Sequence, residues 1–578
     1  MIKRLASCIK QYKKNSILTP LFVSCEVIIE VIIPWIMAKL IDNGIDKGDM
    51  TYITQTGIYL AILCVESLIF GALAGKHAAI ASSGYAKNLR SEMYQNIQKF
   101  SFSNIDKFSS ASIVTRLTTD VTNVQNAYQM IIRIAVRSPL MLIFSLVMAF
   151  RVNAKLSLIF LAAVPVLGIG LFLIMTKAHP IFEKVFAMYD KLNNVVQENL
   201  RGIRVVKSFV REDHENEKFS KTSKNIYNDF VRAEKILSYN MPLMQLCSYG
   251  CLIFISWFGA RFIVNSQGTS MTTGNLMSLI TYAMQILISL MMLSMVFVMI
   301  IISRASAERI VELLDEKSDI VNPEKPEYKV KNGSIVFKDV NFSYSKNKEK
   351  LCLKNINVKI KSGETVGILG GTGSSKTSLV QLIPRLYDVT SGSITVGGVD
   401  VRKYDINSIR NEVAMVLQKN ILFSGTIKDN LRWGKKDATD DEIIHACKLA
   451  QVDGFIKNFT DGYDTHIEQG GSNVSGGQKQ RLCIARALIK KPKILILDDS
   501  TSAVDTKTDS LIQKAFKSEI PDTTKIIIAQ RISSIETADK IIIMDNGKID
   551  AVGTHAQLLK TNRIYQEVYN SQMKGGEN

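Results

Sequence analysis

The chain has 578 residues, enough for more than one domain, and 47% of them are hydrophobic. Its formal charge of +18 accompanies long uncharged runs, so the excess is assigned to loops facing anionic lipid, and nucleic acid is set aside as a partner. The eight cysteines form no C-x-x-C pair and the six histidines are isolated, which points to a reducing compartment, no disulfide framework and no histidine metal centre.

The start, MIKRLASCIKQYKKN, is basic and lacks a small-residue cleavage site after a short apolar core. It predicts an amphipathic helix over 1–15 at a membrane surface and no removable signal peptide. Apolar segments of spanning length follow at 17–38, 57–75, 156–176 and 241–263, and the run Asn275–Ser303 carries no charge. A weaker segment, 134–152, has thirteen uncharged residues between Arg137 and Arg151. Six spans are predicted, because the loop charges then alternate. Connections 76–137 and 177–240 hold eight and twelve basic residues, whereas 42–56 holds one lysine against three aspartates. By the positive-inside rule both termini and the two long connections are cytoplasmic. Those connections have helical spacing and few prolines, so they read as membrane helices continuing into the cytoplasm, with tips at Phe100–Asp120 and Asn199–Glu215.

Glu26, Glu30 and Glu66 fall inside predicted spans, where an ionisable group is costly. Two readings stand: contact with cationic substrates, or pairing with a base such as Arg133 or Arg137 or a place near the outer water. The last span is rich in methionine (Met277, Met284, Met291, Met292, Met295, Met299), which suits adaptable apolar binding and ordinary helix packing equally. Gln285 in the same span is a candidate polar contact.

Charge returns after Ser303. The expected domains are a transmembrane region over 16–305, a linker over 306–330 containing NPEKP (Asn322–Pro326), and a nucleotide-binding α/β domain over 331–578. In that last part IVFKDVNFSY, TVGILG, KILILDDS, KIIIAQ and KIIIMDNGKI read as strands. Between TVGILG and a predicted helix lies GGTGSSKTS (Gly370–Ser378), one residue away from the pattern G-x-x-x-x-G-K-[ST]. Backbone N–H groups of such a turn, here spanning Gly371, Thr372, Gly373, Ser374 and Ser375, cradle phosphate oxygens. Lys376 supplies charge to the outer phosphates, Thr377 offers a hydroxyl to Mg²⁺, and Ser378 closes the motif. Ser375 stands where the pattern has glycine; it is tolerable at an ordinary helical φ and costly at a positive one. Asp498, at the end of an apolar strand, is a second Mg²⁺ candidate. VSGGQKQR, with Ser475, Gly476, Gly477 and Gln478, is another small-residue turn entering a helix.

These three motifs, in this order, resemble the ATP-binding-cassette ATPases, and VSGGQ is the specific part. Six spans followed by one cassette are similar to a half-transporter of the exporter type, so the resemblance covers essentially the whole chain. It implies an all-α membrane domain with long cytoplasmic extensions ahead of an α/β cassette, and ATP with Mg²⁺ as ligands. It assigns Tyr344 to stacking on adenine and Gln418 to a loop touching Mg²⁺. Thr465–Gly471 becomes the segment meeting the coupling helices, and Ser502–Asp505 the loop linking two ATP sites. Two cassettes meet head to tail in this family, each ATP held by the phosphate loop of one chain and the VSGGQ turn of the other.

Against that pattern, Asp499 replaces the glutamate that polarises the attacking water, and Gln530 replaces a histidine near the γ-phosphate. With Ser375 these departures converge on one phosphate group. The resemblance then implies the degenerate-site subunit of a bacterial heterodimeric multidrug exporter. The expected partners are a second half-transporter, the bilayer and small hydrophobic or cationic substrates. The expected place is the cell membrane, with a cytoplasmic ATPase domain. A homodimeric lipid or peptide exporter and a non-hydrolysing regulatory subunit are the alternatives.

Overall fold

The computed structural model describes residues 1–266, 269, 271–345, 347, 349–500 and 504–574. The chain divides into two compact units, Met1–Gln98 with Ser109–Glu316, and Lys99–Phe108 with Lys317–Asn578. The second unit thus takes a short piece out of the first long connection between spans.

Among the described residues of the first unit, six helices are long and apolar enough to cross a membrane: Lys10–Ile45, Met50–Ile97, Ser110–Val152, Ala154–Phe182, Glu212–Ser266 and Thr273–Asp315. Their starts follow capping chemistry. Asp49, Asn153 and Thr272 each accept a hydrogen bond from the backbone N–H three residues on. The second span buries Ala74, Ala78, Ala81, Ser82, Gly84 and Ala86. Such small residues let neighbours approach, and a Cβ at Gly84 would lie 2.3 Å from the Tyr12 ring. Large apolar side chains such as Ile62, Leu68, Leu161, Phe172 and Trp257 stay exposed on the helices, as lipid-facing positions require.

The weak third segment is continuous helix from Val121 to Val152, and the arginine that interrupts its apolar run is paired. Arg137 Nη1 donates to Glu26 Oε1 at 2.5 Å and Nη2 to Glu30 Oε2 at 2.7 Å. Of the two readings of the membrane acids, pairing therefore accounts for Glu26 and Glu30, while Glu66 is exposed on the second span. Gln285 is also occupied internally: it donates to Glu30 O at 3.3 Å and accepts from Ser145 Oγ at 2.9 Å. These bonds tie the first, third and sixth spans together around one charged node.

The second unit is built on two larger sheets. The antiparallel one runs Leu353–Ile360, Ile335–Phe342, Ser391–Val396, Val399–Asp400. The other runs Lys548–Gly553, Lys540–Asp545, Thr365–Gly370, Thr524–Ile528, Ile494–Asp498, Val413–Val416, parallel except for its first strand. Its central strands Ile494–Asp498 and Thr524–Ile528 are buried at every residue, which accounts for their apolar runs Ile494–Leu497 and Ile526–Ile528. The segment KIIIMDNGKI, read as one strand, is a hairpin. Asn546 and Gly547 have φ of 47° and 77°, the paired positive values of a tight hairpin turn. Register decides what the sheet does. Ile528 lies opposite both Ile368 and Asp498, so the chain leaving three parallel strands delivers Gly371–Ser375, Asp499 and Gln530 to one edge.

Candidate functional site

The strand Thr365–Gly370 passes through a tight loop into the helix Lys376–Gln381. Gly373 has φ of +82°, a conformation glycine adopts without penalty. Ser375 has φ 68° and ψ 28°, the left-handed region. Of the two cases posed by the sequence, the costly one holds: a β-carbon in this region costs about 1 kcal/mol. Lys376 Nζ donates to Gly370 O and Gly371 O, each at 2.8 Å, and to Ser374 Oγ at 3.3 Å, so the ammonium sits inside the loop's curve. Partial burial lowers its pKa from the usual lysine value. Gly371, Thr372 and Gly373 are exposed on the rim, whereas Ser374 is buried beneath them.

Next to the loop, Thr377 Oγ1 donates to Asp498 Oδ1 at 3.0 Å. The other carboxylate oxygen, Asp498 Oδ2, is buried without a hydrogen-bond partner. Burial first, and then the neighbouring Asp499, push the Asp498 carboxyl above its ordinary range. An orphaned carboxylate oxygen beside a threonine hydroxyl is the donor set a hard divalent cation takes, so these residues fit Mg²⁺.

Asp499 is fixed from three directions. Its backbone N–H donates to Ile528 O at 3.0 Å and its carbonyl accepts from Gln480 Nε2 at 3.3 Å. Its side-chain Oδ2 accepts from Gln530 Nε2 at 2.7 Å and lies 3.5 Å from Gln418 Nε2. The residue itself is left-handed, with φ of 49°, and burial raises its carboxyl pKa. Asp499, Gln530 and Gln418 are thereby one cluster.

Tyr344 is half-exposed; its hydroxyl is 2.9 Å from Ser378 Oγ and donates to Gln381 Oε1 at 3.3 Å. Its ring meets Tyr387 edge-on at 5.1 Å. Tyr387 in turn donates to Asp106 Oδ2 at 2.8 Å, on the short helix Phe102–Phe108. That helix is part of the first predicted tip. The second tip carries the helix Ile203–Ser208, followed by exposed Phe209 and Val210.

VSGGQ forms a helix start. Ser475 Oγ accepts from Gln478 N at 3.3 Å and Gln478 Oε1 accepts from Ser475 N at 2.9 Å, a reciprocal capping box opening the helix Gly476–Ile489. Thr465–Gly471 leans on that helix through Lys479 Nζ, which donates to Gly470 O at 2.7 Å. Of Ser502–Asp505, Ser502 and Ala503 lie outside the described residues, and Asp505 caps the following helix by accepting from Thr508 N. The sequence motifs did not single out Tyr387, which enters through packing, and they gave no role to Gln480, although it lies within VSGGQKQR.

In the first unit a cavity of about 500 Å³ is lined by Met175, Met241, Met244, Met291 and Met295, among other apolar side chains. The last-span methionines therefore divide: Met291 and Met295 reach this cavity, while Met277 and Met284 are exposed elsewhere on the helix. Three of the lining methionines come from other helices and carry no signal in the sequence of the last span.

Residues 17–291 match the family model for the ABC transporter transmembrane region, and residues 353–502 match the one for the ABC transporter domain. The chain is 36% identical to the uncharacterized ABC transporter ATP-binding protein YfiB of Bacillus subtilis, over 99% of this chain and 98% of that one. It is 33% identical to the ATP-dependent lipid A-core flippase of Desulfotalea psychrophila, over 99% of each. A third relative, the putative multidrug export ATP-binding/permease protein YgaD of Bacillus subtilis, is 30% identical over 99% of each chain. The fold matches a solved bacterial Atm1-family ABC exporter with ATP bound, with a TM-score of 0.83, 23% identity and coverage of 98% of this chain and 99% of that one. The chain belongs to the ABC transporters and is a half-transporter, one multi-pass membrane region joined to one ATPase domain.

Proposed function

We propose that this chain is one subunit of a heterodimeric ATP-driven exporter of hydrophobic or amphipathic compounds, and that the ATP site built on its own phosphate loop retains nucleotide and hydrolyses it slowly. The observation that carries the reading is the Asp499–Gln530 pair. Attack on the γ-phosphate requires a carboxylate that orients a water molecule. The aspartate ends one methylene short of a glutamate, and its Oδ2 is already engaged by the Gln530 amide at 2.7 Å. A retreat of about an ångström costs ~10²-fold in such a geometry. Gln530 donates a hydrogen bond and stays uncharged near neutral pH, so it adds no positive charge where negative charge develops.

Binding calls on the rest of the cluster. Loop N–H groups and Lys376 hold the outer phosphates, Tyr344 offers its exposed ring to adenine, and Thr377, Asp498 and Gln418 are the residues that would hold Mg²⁺. When bound, the ion neutralises charge on the phosphate oxygens. The turn Ser475–Gln478 departs nowhere from the family pattern and serves the opposite site, whose remaining parts a partner subunit supplies. In the membrane the methionine-lined cavity suits apolar cargo of varied shape. The multidrug reading draws on that cavity and on the 30% identity to YgaD. The 33% identity to the lipid A-core flippase favours an amphipathic lipid as the second reading. The proposed setting is the cell membrane with the ATPase unit in the cytoplasm, where the helix Phe102–Phe108 couples cassette motion to the spans.

The test is ATPase turnover of the purified chain alone and of its complex with a second half-transporter. Low turnover alone and high turnover together, insensitive to Asp499→Asn in this chain, is expected. High turnover from the chain alone would sink the heterodimer reading.

A further inference from the structure

The C-terminal helix Arg563–Lys574 ends beside the ATP site, and one of its side chains grips the segment that carries Gln530. Gln572 Nε2 donates to Gln530 O at 2.7 Å, and Gln572 Oε1 accepts from Ile532 N at 2.9 Å. A single amide thus closes on the backbone from both sides, pairing with it as a neighbouring strand would. The same three-residue segment is held elsewhere: the Gln530 side chain bonds Asp499, and Arg531 Nη1 donates to Val504 O at 3.2 Å.

The helix is built to deliver Gln572 there. Tyr565 is fully buried, with its hydroxyl 2.6 Å from His555 Nδ1. Val568 and Tyr569 pack against the same core. Positions 565, 568, 569 and 572 follow the i, i+3, i+4, i+7 spacing of one helix face. At the fourth position, where the stripe would continue apolar, the sequence has an amide that is exposed and that spends both its polar atoms on two backbone groups.

We propose that Gln572 is a positioning residue of this chain's ATP site: it fixes the backbone at Gln530 and so aims the Gln530 amide at Asp499 and the terminal phosphate. The proposal rests on the reading of Gln530 as a γ-phosphate group. It makes the end of the C-terminal helix a structural element of the nucleotide site. A change in the docking of that helix would then reach the ATP site through one side chain.

The test uses the full-length chain in detergent, titrated with fluorescent analogues of ATP and ADP. Gln572→Ala is expected to weaken ATP binding by about tenfold, the worth of a pair of backbone hydrogen bonds, while ADP binding is unchanged. Gln572→Glu, which can still accept from Ile532 N but cannot donate to Gln530 O, is expected to fall between. In a Gln530→Ala background, Gln572→Ala should have no further effect. Equal losses for ATP and ADP, or an undiminished loss in the Gln530→Ala background, would overturn the proposal and leave a merely structural helix contact. Wild-type preference for ATP over ADP in Gln530→Ala alone would overturn the γ-phosphate reading, and this proposal with it.

Discussion

Asp499→Glu is the sharpest probe of the ATP site. The substitution adds one carbon–carbon bond, about 1.5 Å of reach. Asp499 Oδ2 already stands 2.7 Å from Gln530 Nε2, so the longer carboxylate cannot advance along that line without a clash. It must swing aside or displace the amide, and in either case one oxygen remains engaged. The single variant is therefore expected to gain at most about tenfold in turnover, near 1.4 kcal/mol of barrier. Combined with Gln530→His, which removes the amide and restores a group able to carry charge, the gain should approach the ~10²-fold lost to misplacement. Phosphate release should be measured at saturating ATP in the paired complex, with the partner's own hydrolytic acid removed so that only this chain's site turns over. If Asp499→Glu alone reached the rate of the double variant, the aspartate's length would be the whole defect, and the argument that Gln530 shares in it would be refuted.

Two further outcomes follow from local geometry. Ser375→Gly removes the β-carbon from a left-handed residue; about 1 kcal/mol of strain is relieved, partly offset by the added freedom of the unfolded glycine. Thermal unfolding of the ATPase unit should rise by about 2 °C, and a fall would mean that the serine is unstrained. In the membrane half, Arg137→Met strands Glu26 and Glu30, which both pair with that guanidinium. The loss should be about 3 kcal/mol, at the low end for a broken buried pair because Arg137 is one-third exposed. Adding Glu26→Gln and Glu30→Gln should recover most of the melting temperature in detergent; a single variant that melts like the parent would show the node to be dispensable.

Much of this architecture is legible in the chain's pattern. Uncharged runs of spanning length and alternating loop charge give six spans, because lipid leaves the backbone no partner but itself. The phosphate loop, Asp498 and VSGGQ stand out because each needs particular residue types at fixed spacing. Where a residue's neighbours are remote, pattern fails. Arg137 bounds a short third apolar run and is one of two bases the sequence offers the membrane acids; only packing decides that it pairs with Glu26 and Glu30 on the first span. KIIIMDNGKI looked like one strand, although its Asn-Gly pair carries a turn signal that outweighs the β-branched run.

By itself, then, the sequence determined which chemical groups are present and which local turns present them. That follows from short-range sterics, capping and hydropathy, which act over a few residues. Tertiary structure decided which groups meet. Parallel register, with Ile528 opposite both Ile368 and Asp498, brings residues more than a hundred positions apart to one sheet edge. The pattern's glycine leaves the φ of Ser375 open between two cases, and the folded loop, which curls around Lys376, has it left-handed. The two bonds of Gln572 form on a distant helix that Tyr565 anchors against the core: helical spacing marks the face, and packing decides what Gln572 meets.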